Sequence, residues 1–336
     1  MGRWVAPSLA LLICFATIGC GGSGGQSVTV YVSEDRVFSE PILKDFEKDT
    51  GIRVQAVYDT EEAKSTGVMN RLLAEKGNPQ ADLYWANEPV RADVLRQREI
   101  ADAFRPATAT DIPAAFKDSG GYWTGFSARA RVFVVNKAAK FRPSGVQSYT
   151  SEPARGRAVI ANPLFGTTTA QMAALFYVWG DEEGQRFLDR LSSNDVKLST
   201  GNGESADLVA AGEFDFALVD SDDAVDRIRK GKPIEIVYPD QGEGEPGLLL
   251  IPNAVVVIRG GPNPANARRL AEYLVSKETE RKLALADCAQ IPLHPGVTAP
   301  AELKPVGELK VMSVDYATLG AKLQSIQPVL KTWVER

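Results

Sequence analysis

The chain has 336 residues, 44% of them hydrophobic and 24% charged, and 38 Lys and Arg against 43 Asp and Glu leave a net charge of −5 at pH 7. These charges are mixed along the sequence without a basic stripe, which excludes a nucleic-acid surface. One histidine and three cysteines leave histidine-dependent acid–base chemistry, zinc sites and disulfide frameworks almost nothing to draw on.

Met1-Gly2-Arg3 supplies one positive charge, and Trp4 to Ile18 is an apolar run broken by Pro7, Ser8 and Thr17, too short to span a bilayer and sized for a signal-peptide core. Ala16-Thr17-Ile18-Gly19-Cys20 resembles the lipobox at which bacterial lipoproteins are cleaved and diacylated, although Thr17 departs from the usual leucine. The expectation is a signal peptide over 1–19, a lipidated Cys20, and a Gly/Ser tether over 20–27 that holds the folded body away from a membrane. An ordinary secretory signal in which Cys20 is incidental is the alternative. Processing would leave Cys288 as the one free thiol, and His294 sits in a Pro-rich loop that suggests no role for it. At roughly 100–200 residues per domain, the remaining length implies two domains or one bilobal unit.

The body begins with a strand pattern at Val28–Val32, then a helix with Val37, Ile42, Leu43 and Phe46 on one face, ended by Gly51. A strand over Ile52–Tyr58, a helix carrying Val68, Leu72 and Leu73, and a strand over Ala81–Trp85 complete β-α-β-α-β, the pattern of a parallel sheet. Ligands in such sheets bind beyond the carboxyl ends of the strands, here after Tyr31, Tyr58 and Trp85. The long β pattern from Tyr122 to Asn136 reads as a crossing between lobes. A second α/β series fills about 150–250: strands near Arg157–Ala161, Val196–Ser199, Phe214–Val219 and Ile234–Tyr238, with helices at Thr168–Trp179, Glu182–Leu191, up to Ala211, and at Asp223–Lys230. Gly247–Ile258 offers a return crossing. Helices at Ala265–Leu274 and Glu278–Leu285 follow, and Tyr316–Val334 is a helix expected to pack on the first lobe.

Gly201-Asn202-Gly203-Glu204-Ser205-Ala206 fits the dinucleotide fingerprint on paper, but the helix after it is too short and the unit lies in mid-chain, so it reads as a backbone-lined loop near the cleft. Gly166-Thr167-Thr168-Thr169 opens an apolar helix whose free N–H groups and hydroxyls suit a carboxylate or phosphate, the alternative being a simple N-cap. Arg129 and Arg131 alternate on one face of the long strand, and structural ion pairing accounts for at least one of them. Asp220-Ser221-Asp222-Asp223 follows a strand and starts a helix, where capping explains one or two acids but not three, and the spacing is not an EF-hand loop. Asp35 and Asn87-Glu88 stand at strand ends of the first lobe.

Val28-Thr29-Val30-Tyr31, the run Phe46 to Val54, Ala81–Trp85, Gly125–Val132 and Ala211-Gly212-Glu213-Phe214 resemble, in order, the ferric-ion-binding branch of the bacterial periplasmic solute-binding proteins of ABC importers. The resemblance implies an α/β two-lobed clamshell of type II, each lobe a mainly parallel sheet with helices on both faces and two crossover strands as hinge. It divides the chain into lobe 1 over 28–125 and 258–336, and lobe 2 over 126–257. In ferric members a His stands where this chain has Asp35, a Glu ligand matches Glu88 or, with a one-residue shift, Asn87, and two adjacent Tyr fall on Asp222 and Asp223. The family's anion positions map onto Thr167 and Thr168, Asn202 and Asp220, the last replacing an Asn.

The sequence therefore suggests a periplasmic or cell-surface lipoprotein without cofactor or catalysis, expected to be a monomer, that delivers a small ligand to an ABC permease and its ATPase. The expected ligand-binding residues are Asp35, Asn87, Glu88, Arg129, Thr167, Thr168, Asn202, Asp220, Asp222 and Asp223. A small anion or zwitterion such as a phosphonate is favoured over a hard cation with its anion; any metal would use Asp35, Glu88, Asp222 and Asp223. An exported hydrolase finds no G-x-S-x-G, H-E-x-x-H or usable Cys/His pair, and a ligand-sensing module stays open.

Overall fold

The computed structural model describes residues 1–2, 26–58 and 66–336, so the expected signal segment from residue 3, Cys20 and the tether up to residue 25 lie outside the described residues. Strand β1 (Ser27–Val32) pairs in parallel with β2 (Arg53–Tyr58) and β3 (Leu83–Ala86), and between them run α1 (Arg36–Thr50) and α2 (Thr66–Ala74). Val28, Val30, Tyr31 and Val32 are fully buried, whereas β2 is half exposed because it is the edge of the sheet. Helix α1 ends at Gly51 in the left-handed conformation, φ 70°, which only glycine adopts cheaply. Ile42, Leu43 and Phe46 are buried as the helical spacing requires, but Val37, in the first turn, is 71% exposed.

Apart from short 3-10 turns, two elements were not anticipated, α3 (Pro89–Gln97) and the short strand β4 (Ala101–Asp102). The long β5 (Thr124–Asn136) then leads to β6 (Ala158–Ala161), α4 (Gly166–Trp179), α5 (Asp181–Ser193), β7 (Lys197–Ser199), α6 (Asn202–Ala211), β8 (Phe216–Asp220), α7 (Ser221–Arg229) and β9 (Ile234–Val237). The returning β10 (Leu250–Ile258), α8 (Pro264–Leu274), α9 (Lys277–Leu285) and α10 (Tyr316–Val334) complete the chain.

The strand order is β2-β1-β3-β10-β5-β8-β6-β7. Each half is a parallel trio, β2-β1-β3 or β8-β6-β7, flanked by one antiparallel crossing strand. The two crossing strands join the halves: β5 pairs with β10 over Thr124–Ala130 and with β8 over Arg131–Val135. The carboxyl ends of the parallel strands lead into residues 33–35, 87–88, 162–165, 200–202 and 221–223, and the two halves meet at Arg129 of β5, which lies near Glu34 and Asp35 of one and Asp220 and Asp222 of the other.

Helix α10 has the expected bounds but a different seat. It packs on α3 of the first half and on α4 and α5 of the second, Trp333 Nε1 donating to the Leu188 carbonyl and Ser192 Oγ at 2.8 Å, and Tyr316 donating to the Leu250 carbonyl of β10 at 2.8 Å. Its apolar stripe is wide enough to cover both halves, which sequence periodicity does not reveal. His294 is also corrected. It is 2% exposed, with Nδ1 2.8 Å from Glu280 Oε2 and Nε2 2.8 Å from the Thr108 carbonyl. Burial opposes the charged ring, but these two acceptors raise its pKa above the ordinary value. Among the described residues no helix is long and apolar enough to cross a membrane.

Candidate functional site

The second half of the cleft is organised by Arg131, which has no exposed surface. The register that pairs Arg131 with Asp220 across β5 and β8 places their side chains together, Nη1 2.8 Å from Asp220 Oδ1. Nη1 also donates to Thr167 Oγ1 at 3.0 Å and Asn202 Oδ1 at 3.1 Å, and Nη2 to Thr168 Oγ1 at 3.3 Å and the Leu218 carbonyl at 3.1 Å. Thr167 donates its proton to Asp220 Oδ2 at 2.7 Å, and Thr168 its proton to Asn202 Oδ1 at 3.3 Å.

Four expected site residues, Thr167, Thr168, Asn202 and Asp220, thus come together, but around an internal guanidinium. The hydroxyl protons assigned to a ligand anion are already spent. Neither threonine caps its helix, and Asp220, at the head of α7, makes no side-chain cap bond either. What α4 still offers is its first N–H groups, which no described side chain accepts from and which carry the positive end of the helix dipole. Gly166, φ 61°, turns the chain into that helix.

Arg129 sits two residues earlier on β5, Nη2 donating to the Asn87 carbonyl at 2.7 Å. Burial opposes its charge, but Glu34, Asp222, Asp220 and Asp35 together hold its pKa well above the ordinary arginine value. It therefore marks where the acids of the two halves converge. Asp35 heads α1 without capping it. Glu88 is engaged within its own helix: its oxygens accept from the N–H groups of Val90 and Arg91 at 3.0 and 3.2 Å, and Oε1 pairs with Arg91 Nη1 at 2.7 Å. Glu88 is the N-cap of α3, a role signalled by the Pro89 behind it. Asn87 contributes its main-chain carbonyl.

The remaining acids cluster. Oxygen atoms of Asp220, Asp222 and Asp223 all lie within 4.8 Å of one another, so two of the acids expected to hold any metal, Asp222 and Asp223, are grouped with Asp220. Burial and mutual repulsion raise Asp222 and Asp223 far above the carboxylate range, against the pull of Arg129 on the first and Arg227 on the second. Five carboxylates, Glu34, Asp35, Asp220, Asp222 and Asp223, face three guanidinium groups, Arg129, Arg131 and Arg227. The acids outnumber the guanidinium groups, which drives Asp222 and Asp223 toward their protonated forms beside an uncapped helix start.

Sequence reasoning left Arg131 outside the ligand set as one of two alternating arginines. Its signal was the charge inside an otherwise apolar strand, and its partner could be named only from the register with β8.

The profile of the bacterial extracellular solute-binding proteins matches residues 42–310. A candidate 2-aminoethylphosphonate-binding periplasmic protein of Salmonella typhimurium is 27% identical over 284 residues, 82% of each chain. Iron uptake protein A1 of Synechocystis is 25% identical over 315 residues, covering 89% of this chain and 84% of its own. Iron-bound HitA from Pseudomonas aeruginosa superposes with a TM-score of 0.79 at 23% identity, over 91% of this chain and 99% of its own, and shares the two-lobed fold. Fold, cleft and sequence agree that the chain belongs to the bacterial extracellular solute-binding proteins.

Proposed function

We propose that this protein is the monomeric substrate-binding lipoprotein of an ABC importer and that it captures a small zwitterion, an aminoalkylphosphonate or a close relative, between lobe 1 (28–125 and 258–336) and lobe 2 (126–257). The observation that carries this reading is the juxtaposition of opposite demands. The open α4 start can take an anion, while Asp222 and Asp223, crowded against Asp220 and only partly offset by Arg129 and Arg227, favour a cation, and Thr167 links the two through its 2.7 Å bond to Asp220. A molecule with an ammonium a few bonds from a phosphonate satisfies both at once. The Salmonella relative supports that ligand class, and lobe closure over it would create the form a permease and its ATPase recognise.

The close acid cluster and the iron-uptake relative favour a second reading, a ferric or other hard cation with an anion. Tyr31 and Tyr84 speak against a phenolate site. Tyr31 donates to both oxygens of Glu75 at 3.0 and 2.9 Å and is pushed up to about 12, chiefly by burial, and the Tyr84 hydroxyl is held at 2.8 Å by Ser33. The family resemblance implies two adjacent tyrosines in ferric members at the positions of Asp222 and Asp223. Calorimetric titration separates the readings. 2-Aminoethylphosphonate should bind, ethylphosphonate should bind roughly tenfold or more weakly for want of the charged hydrogen bonds, and ferric citrate should produce no visible tyrosinate band. Tight ferric binding with such a band, and none of the aminophosphonate, would replace the first reading by the second.

For the anchor, the Gly19-Cys20 junction motivates the expectation that wild-type protein incorporates an alkyne-labelled fatty acid and fractionates with membranes, and that C20A does neither. Unlabelled wild-type protein in the soluble fraction would mean an ordinary secretory signal.

A further inference from the structure

Strand β5 carries one residue more than β10 at the point where the halves join. Phe126 pairs with Asn253 and Ala128 with Pro252, so Ser127 stands between them as a bulge. It is fully buried with φ 39°, a left-handed conformation that a non-glycine residue adopts only when its surroundings hold it there. Side chains satisfy both of its main-chain groups. Glu280 Oε1 accepts from the Ser127 N–H at 2.8 Å, and Asn253 Nδ2 donates to the Ser127 carbonyl at 2.8 Å. The Ser127 hydroxyl itself has no partner, so the backbone is what is being held.

Glu280 has no exposed surface, and its remaining bonds fasten it in place: the N–H groups of Leu293 and His294 at 2.9 Å, and His294 Nδ1 at 2.8 Å. Each partner is a donor, as a buried carboxylate requires. An inserted residue shifts side-chain alternation by one and so decides the face on which every later residue of a strand projects. The charged residues that follow this bulge are Arg129 and Arg131.

We infer that Glu280 is a positioning residue for the cleft: by holding the Ser127 bulge it determines that Arg129 and Arg131 project among the carboxylates and the α4 start. This depends on strand geometry and not on which solute binds, so it stands or falls separately from the ligand reading.

The arginine Nε–H region of a ¹⁵N-correlated NMR spectrum tests it, with R129K and R131K assigning the two signals. Both Nε atoms are buried without a partner, so both signals should lie outside the envelope of exposed arginines and exchange slowly. E280A should move both and speed their exchange by about tenfold or more, while most backbone amide signals stay in place. S127V, which forces a β-branched residue into φ 39°, should displace the same two signals from the other side of the bulge. E280Q keeps an oxygen for Ser127 but turns an amide toward His294, and should move them less than E280A. A folded E280A with both arginine signals unmoved would overturn the inference; if E280A does not fold, a folded S127V with unmoved signals would do the same.

Discussion

R131M is expected to lower folding stability by about 3–5 kcal/mol, the usual cost of removing one partner from a buried ion pair. Arg131 has no exposed side-chain surface and Asp220 has 7%, so water cannot replace the lost guanidinium at the carboxylate. Four further bonds end on the same guanidinium, and without it Thr167, Thr168 and Asn202 lose the group that orients them. The R131M/D220N double variant should recover much of the loss, because an amide in place of the Asp220 carboxylate would leave no charge uncompensated. A double-mutant cycle by urea unfolding measures the coupling. A cost below about 1 kcal/mol for R131M would show that water or another cation reaches Asp220.

D222A is expected to weaken 2-aminoethylphosphonate binding by about 2–5 kcal/mol, or roughly 30-fold and more, as truncating one side of a buried charge pair does. The pH dependence gives an independent check. Burial and repulsion raise Asp222 and Asp223 in the ligand-free cleft, and an ammonium favours their ionised forms, so binding must displace protons. Affinity should therefore rise as pH climbs from about 5 to 8, with proton release visible in buffers of different ionisation enthalpy. The ligand-free protein should behave in the opposite sense. Carboxyls with raised folded pKa values contribute stability that is fully present below the ordinary Asp range and lost as pH rises through the raised values. Wild-type affinity that is flat with pH and unchanged in D222A would place the ammonium elsewhere.

Much of this was readable from the sequence because it rests on local physics. Alternation and helical spacing gave most of the elements to within a few residues, and the β-α-β order gave parallel sheets with their strand ends as the site. Helix α3 escaped although Glu88-Pro89 is a good start signal, because the same glutamate was read as a ligand. Val37 escaped because periodicity assigns a face but not how much of its length is covered.

By itself, the sequence determined the class of fold, the two crossing strands and the acid-rich segment after β8, since each depends on residues adjacent in the chain. The tertiary structure decided how the charges pair. Arg131 meets Asp220 across 89 residues, Glu280 holds Ser127 across 153, and α10 straddles both halves. The first two contacts follow from strand register and from one inserted residue in β5, the third from helix packing. A shift of one residue in a strand reverses the direction of every side chain after it at no change in local propensity, so only the packed sheet fixes which charges face the cleft.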